Sequence, residues 1–167
     1  MNSTIKYSLL ASALMIFCKL GVYFTHSQFT TFGIYSGLIG LLLISIPLVM
    51  AIRNRKEELN GYITLKEVMK TALGISVVTA LIVSIFTYLY FMFLDHETAP
   101  QIISQTVEFM HTANKPQSEI DLAIVSIQEF YTPLKQATGV LTGVLIAGLI
   151  LSFISSAFLV KNPPATN

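Results

Sequence analysis

Four apolar runs, each long enough to cross a lipid bilayer as a helix, dominate this chain of 167 residues. A transmembrane helix needs about 20 mostly apolar residues. Segments 5–25, 32–52, 68–94 and 137–160 meet that length. None alternates strictly between apolar and polar residues, which argues against a transmembrane β-barrel. Only 11% of the chain is charged while 53% is hydrophobic. Typical soluble domains carry about 25% charged residues, so this chain has too few to cover a soluble surface. The fold class predicted is an all-α membrane protein, with a single four-span membrane domain over 1–167. The small-residue stripes described below favour a four-helix bundle.

The first run has a cationic start at Lys6 and could pass for a cleaved signal peptide. "ASA" at 11–13, however, lies inside the apolar run, Lys19 interrupts it, and "MIFC" lacks small residues before Cys18. The run reads as a retained helix.

Lys and Arg in short loops set orientation. The stretch "RNRKEELNGYITLKEVMK", residues 53–70, holds half of the ten Lys and Arg of the chain. Arg53, Arg55, Lys56, Lys66 and Lys70 lie in or beside the 53–67 loop, and alternating helices put Lys6 and Lys161 on the same side. Both termini and this loop are therefore expected in the cytoplasm, and the acidic 95–135 loop outside. Tyr23, Tyr35, Tyr88, Tyr90 and Tyr131 fall near the outer interface and Tyr7 and Tyr62 near the inner one, depths that amphipathic rings favour. Asn60-Gly61 is a turn signal. Thr64 and Glu67 have capping-box spacing, so a helix is expected to start there.

Spans associate through small residues that let backbones approach. Ala72, Ser76, Ala80 and Ser84 form one such stripe. Gly139, Gly143 and Ala147 form a second, with Gly148, Ser152 and Ser156 beside it. Ser8 and Ser12, and Gly33 and Gly37, offer shorter ones. The Gly139/Gly143 face leaves room for a homo-oligomer. Pro47 removes a backbone donor near the end of the second span, where a terminal kink is the plain reading and a gating hinge the sharper one.

The 95–135 loop reads as an external helical hairpin between the third and fourth spans. Pro100 suits a helix start, Ile103, Val107 and Met110 repeat at helical spacing, and "NKPQ" breaks the pattern. Ser118 and Asp121 have cap spacing, and Ile120, Ile124, Ile127 and Tyr131 form an apolar stripe that ends before Pro133. That face suits the membrane surface, the mouth of the bundle or a partner protein.

Chemistry is sparse. The net charge of +1 gives no basic excess for nucleic acid. A single cysteine, Cys18, excludes an intrachain disulfide and a cysteine-rich metal site. Asp95, His96, Glu97, Glu108 and His111 contain one Glu-x-x-His pair, a spacing used in carboxylate-bridged di-metal sites. Those sites need two such motifs and further glutamates, so chance in a hydrated acidic loop is the plainer account. Lys19 is the one charge well inside a span, about 9 Å from its outer end at 1.5 Å per residue. Snorkelling to the interface is its bland reading; a buried polar or substrate-contacting site, with Asp95 as partner, is the other. There is no nucleophile elbow, phosphate loop or intramembrane carboxylate. No cofactor and no enzymatic activity are expected.

The stretch "NGYITLKEVMKTALGISVVTALIVSIFTYLYFMFLD", a helical loop, and "YTPLKQATGVLTGVLIAGLILSFISSAFLVKNP" resemble a family of small bacterial four-helix inner-membrane proteins built on a domain of unknown function. The shared marks are Gly61, Tyr62, Ile63 and Thr64 before the third span, and Phe86, Tyr88 and Tyr90 at its exit. Thr132 and Pro133 before the fourth span are shared too. The family pattern continues with Asp-Pro; here His96 follows Asp95 and the proline comes at Pro100. The resemblance implies architecture and an inner-membrane location, not a mechanism. The role expected is non-enzymatic, as a scaffold or accessory protein with the lipid bilayer and another membrane protein as partners. A small oligomeric transporter or channel component is the alternative, and a metal protein or membrane enzyme the third reading.

Overall fold

The structure is a computed structural model that describes residues 3–27 and 29–162. Residue 28, between the first two apolar runs, and Pro163, the proline closing the second family stretch, lie outside the described residues. Among the described residues seven helices follow one another: α1 Ser3–Phe24, α2 Thr31–Leu43, α3 Ser45–Glu58, α4 Leu65–Phe93, α5 Thr98–Thr112, α6 Gln117–Phe130 and α7 Pro133–Leu159. Four runs among these residues are long and apolar enough to cross a membrane: Ser3–Phe24, Tyr35–Glu58, Leu65–Phe93 and Pro133–Leu159. The chain is thus an all-helical, multi-pass membrane protein.

Two of the expected boundaries move. The 53–67 loop shrinks to residues 59–64, because α3 runs through the charged "RNRKEE" to Glu58 and α4 starts at Leu65. Charged side chains at a span's end need not leave the helix; they extend it into the head-group layer. The fourth helix starts at Pro133 rather than 137, since proline suits the first helical position, where its missing N–H costs nothing.

The second span is interrupted at one residue, Ile44, which closes α2 and opens α3 while keeping helical dihedrals of φ −64° and ψ −25°. Pro47 lacks the N–H that would bond to the carbonyl of Leu43, and its ring crowds that carbonyl. The break falls one turn upstream of Pro47, well inside the span rather than at its end. Ser45 Oγ donates to the Leu42 carbonyl at 2.6 Å and takes up part of what the break frees.

Three helices end in the same way. His26, Asn60 and Asn114 adopt left-handed φ of 50°, 56° and 53°. Around Asn60, Gly61 N donates to Lys56 O at 2.9 Å and Asn60 N to Glu57 O at 3.0 Å. This pairing is the Schellman terminator, and Gly61, at φ 84°, continues the turn where a Cβ would be strained.

The chain forms two compact units. One comprises residues 1–83 and 141–167, the other 84–140. In the first, α1 packs on α2 and α3. Ser8 and Ser12 are buried against α4, where Ser8 Oγ reaches Ile75 O at 3.3 Å and Thr79 Oγ1 donates to Ser8 O at 3.4 Å. Ala72, Ser76 and Ala80 are fully buried, as their stripe predicts. On α7 the second of the two expected stripes is used: Gly148 and Ser152 are buried, whereas a Cβ at Gly143 would meet open space. Leu48, Ile52, Ile63, Val68 and Ala72 form the core beneath the 59–64 loop.

In the second unit α5 and α6 pack against each other. Ile120 is buried, and Ile124, Ile127, Ile103, Val107 and Met110 are half-buried. The apolar stripes are thus at least partly covered within the protein. Tyr90 is buried beside Phe86 and Phe91. Tyr7 is likewise buried, in the first unit.

Candidate functional site

The charged stretch 53–70 builds the most elaborate polar structure of the first unit. Thr64 Oγ1 accepts from Glu67 N at 3.4 Å and caps α4 as its spacing predicts. The reciprocal half of the capping box does not form, because the Glu67 carboxylate turns to Arg55. Arg55 donates through Nε and Nη2 to Glu67 Oε2 at 3.3 Å, and through Nη1 to Glu58 Oε2 at 2.9 Å. Glu58 Oε1 accepts from Asn54 Nδ2 at 3.1 Å and from Ser3 Oγ at 3.4 Å. The start of α1, the end of α3 and the start of α4 are thereby joined by side chains.

The end of α7 joins them. Lys56 Nζ donates to Leu159 O at 2.9 Å. Ile63 and Lys161 form an antiparallel bridge with N–H···O distances of 2.9 and 3.0 Å, and Lys161 Nζ lies 5.2 Å from the centre of the Tyr62 ring. Of the five cations expected to fix topology, Arg55 and Lys56 therefore also hold helices together. Arg53, Lys66 and Lys70 are exposed. Lys70 also lines a cavity.

That cavity, of about 470 Å³, lies between α1, α3 and α4. Ser3, Thr4, Arg55, Glu58, Glu67, Lys70 and Thr71 give it a polar wall, with Ala51 and Gly74 as small apolar floor residues. Sequence reasoning singled out Arg55, Glu67 and Lys70 but missed Ser3, Thr4, Thr71 and Gly74. Its available signals were the i,i+3 spacings Arg55–Glu58 and Glu67–Lys70. The partnership of α1 with them comes only from packing.

Lys19 is half-buried on α1 and engaged within the structure. Asp95, its expected partner, is buried and acts as a helix cap. Its Oδ1 accepts from Thr98 N at 3.1 Å and its Oδ2 from Thr98 Oγ1 at 2.9 Å. This cap starts α5 at Thr98, two residues before Pro100. Tyr131 lies nearby in the same unit, and burial, followed by the charge of Asp95, raises its phenol above the usual range. The Ser118–Asp121 cap does not form; α6 begins at Gln117, whose Nε2 donates to Asp121 Oδ1 at 2.9 Å.

The other metal candidates stay apart. A ring nitrogen of His96 lies 3.1 Å from Met92 O. Glu97 takes the N-cap position of α5 without a side-chain bond, and Glu108 and His111 are exposed on α5. Among the described residues no three His, Cys, Asp or Glu gather as metal ligands. Cys18 is half-buried with Sγ 3.9 Å from Ser36 O.

No curated protein and no solved structure matches the chain. A family model described as "Protein of unknown function (DUF4199)" matches residues 6–161. That match covers the last three membrane-crossing runs, all but the first three residues of the first, and both helices of the 98–130 pair, and the chain belongs to this family.

Proposed function

We propose that the protein is a non-enzymatic component of a bacterial inner membrane, with both termini cytoplasmic, that engages another membrane protein or a second copy of itself through the α5–α6 pair. One observation carries the reading. These helices lie outside the four membrane-crossing runs and turn large apolar side chains outward: Phe109 is 72% exposed and Leu122 68%. Val125 and Phe130 add to that surface. Exposed apolar area of this kind marks interaction surfaces. The alternation of four spans supports placing both termini on the cation-rich side.

Photo-crosslinking tests it. A benzophenone amino acid at Leu122 or Phe109 is expected to give a discrete adduct in membranes, and one at buried Ile120 none. A ladder equal at all three positions, or no adduct at any, rejects the role. An adduct of twice the chain mass identifies a homo-oligomer.

The interrupted second span favours one alternative, a small transporter or channel component. Discontinuous helices expose backbone groups that line substrate sites in transporters, and the break at Ile44 and the intramembrane Lys19 are the features this reading uses. Lys19→Met in reconstituted vesicles is its test; unchanged flux for every solute assayed removes its main residue.

A further inference from the structure

The cavity between α1, α3 and α4 holds charge that its own residues leave half used. Glu58 is filled on both oxygens, by Arg55 on one and by Ser3 and Asn54 on the other. Glu67 receives Arg55 on Oε2 alone. Lys70 follows Glu67 by three residues on α4, so the two share a face, and both line the cavity. They form no ion pair with each other, and Lys70 has no other ion pair or hydrogen bond among the described residues. Thr71, beside Lys70 on the wall, likewise has no hydrogen bond through its hydroxyl. An ammonium, a hydroxyl and one carboxylate oxygen thus face one space without partners.

We propose that this cavity binds a zwitterionic head group carrying a phosphodiester and a primary ammonium, as on an ethanolamine phospholipid. The phosphate takes Lys70 and Thr71, and the ammonium takes Glu67. The balance of charge selects the class. Two cations, Arg55 and Lys70, stand against two carboxylates, Glu58 and Glu67. A purely anionic head group meets the carboxylates, and like charges brought together are disfavoured. A choline head group has no N–H to donate to Glu67. The volume suits a small ligand group and leaves acyl chains outside.

Native mass spectrometry of the full chain in detergent tests this, with phosphatidylethanolamine, phosphatidylcholine and phosphatidylglycerol of equal acyl composition offered together. The ethanolamine lipid is expected as the dominant adduct. Lys70→Met and Glu67→Gln are each expected to reduce it about ten-fold, the scale of one charge-assisted hydrogen bond. Lys66→Met and Glu57→Gln, which make the same charge changes outside the cavity, are expected to leave it intact. Glu67→Gln also weakens the Arg55 contact, so Thr71→Val serves as the variant that keeps volume and fold. It is expected to reduce the adduct as well. Soluble glycerophosphoethanolamine separates the sources: displacement of the lipid at comparable concentration assigns the site to the free head group, and failure to displace assigns it to the lipid. Equal adducts of all three lipids, or equal losses in Lys66→Met and Lys70→Met, overturn the proposal.

Discussion

Gly148 of α7 lies so close to Ser76 of α4 that a Cβ at position 148 would collide with the Ser76 Oγ and Cβ. Both residues are buried, and Ser76 Oγ and Ser152 Oγ each bond back to their own helix, at Ala72 O and Gly148 O. The two helices meet backbone to backbone, as small residues allow between spans.

Gly148→Ala is therefore expected to destabilise the protein by about 1–3 kcal/mol, the usual cost of overpacking. Adding Ser76→Gly should recover much of that loss. Gly143→Ala, where a Cβ meets nothing within 4 Å, is the control and should be neutral or mildly stabilising. Denaturant titration in mixed micelles reads all three.

Ile63 is 1% exposed within the cluster of Leu48, Ile52, Val68 and Ala72. Ile63→Ala is expected to cost about 2–5 kcal/mol through lost burial and the cavity left behind. The same titration checks it. A change under about 1 kcal/mol, the range of a conservative swap, would mean that the 59–64 loop does not close on this cluster.

Asp95→Ala removes both bonds to Thr98 and should cost about 1 kcal/mol, as for other lost caps. Asp95→Asn should retain most of that stability, since an amide oxygen still accepts. Hydrogen exchange over residues 98–102 should accelerate in the first variant and much less in the second.

Tyr131 gives a pH dependence. Its phenol pKa is raised in the folded state, by burial first and by Asp95 second. The folded state therefore holds this proton more tightly than the unfolded chain does. Stability from this group is complete below the unfolded value near 10 and is lost as pH rises through the raised folded value. In a spectrophotometric titration the difference between the protein and Tyr131→Phe should appear at the alkaline end. Asp95→Asn should move that difference to lower pH.

Pro47→Ala restores an N–H that can reach Leu43 O. Helix continuity across Ile44 is expected to increase, seen as slower amide exchange at residues 44–48. Unchanged exchange would place the cause of the break elsewhere than at Pro47.

The spans were legible because lipid imposes one rule, an unbroken apolar run, that needs no knowledge of neighbours. The cap at Thr64, the turn at Asn60-Gly61 and the buried face of Ala72, Ser76 and Ala80 are equally local, and each stands where its pattern places it. The rest depends on neighbours. Ile120, Ile124 and Ile127 announce an apolar face, but periodicity does not say what covers it; Ile120 is buried and the other two half-buried. Asp95 stands three residues before an uncapped N–H, and the cap it makes to Thr98 is a local use that its charge alone does not announce. Two α7 stripes looked equivalent, and only packing distinguished Gly148 from Gly143. The cavity at Lys70 needed three separate helices to meet, which no single stretch of sequence encodes.

The bridge between Ile63 and Lys161 joins positions separated by everything from α4 through α7. During synthesis the 59–64 loop emerges early and must wait, its edge unpaired, until the last span has been threaded into the bilayer. These two hydrogen bonds can close only after α7 has been made, so a chain that lacks α7 leaves the edge of the loop unpaired.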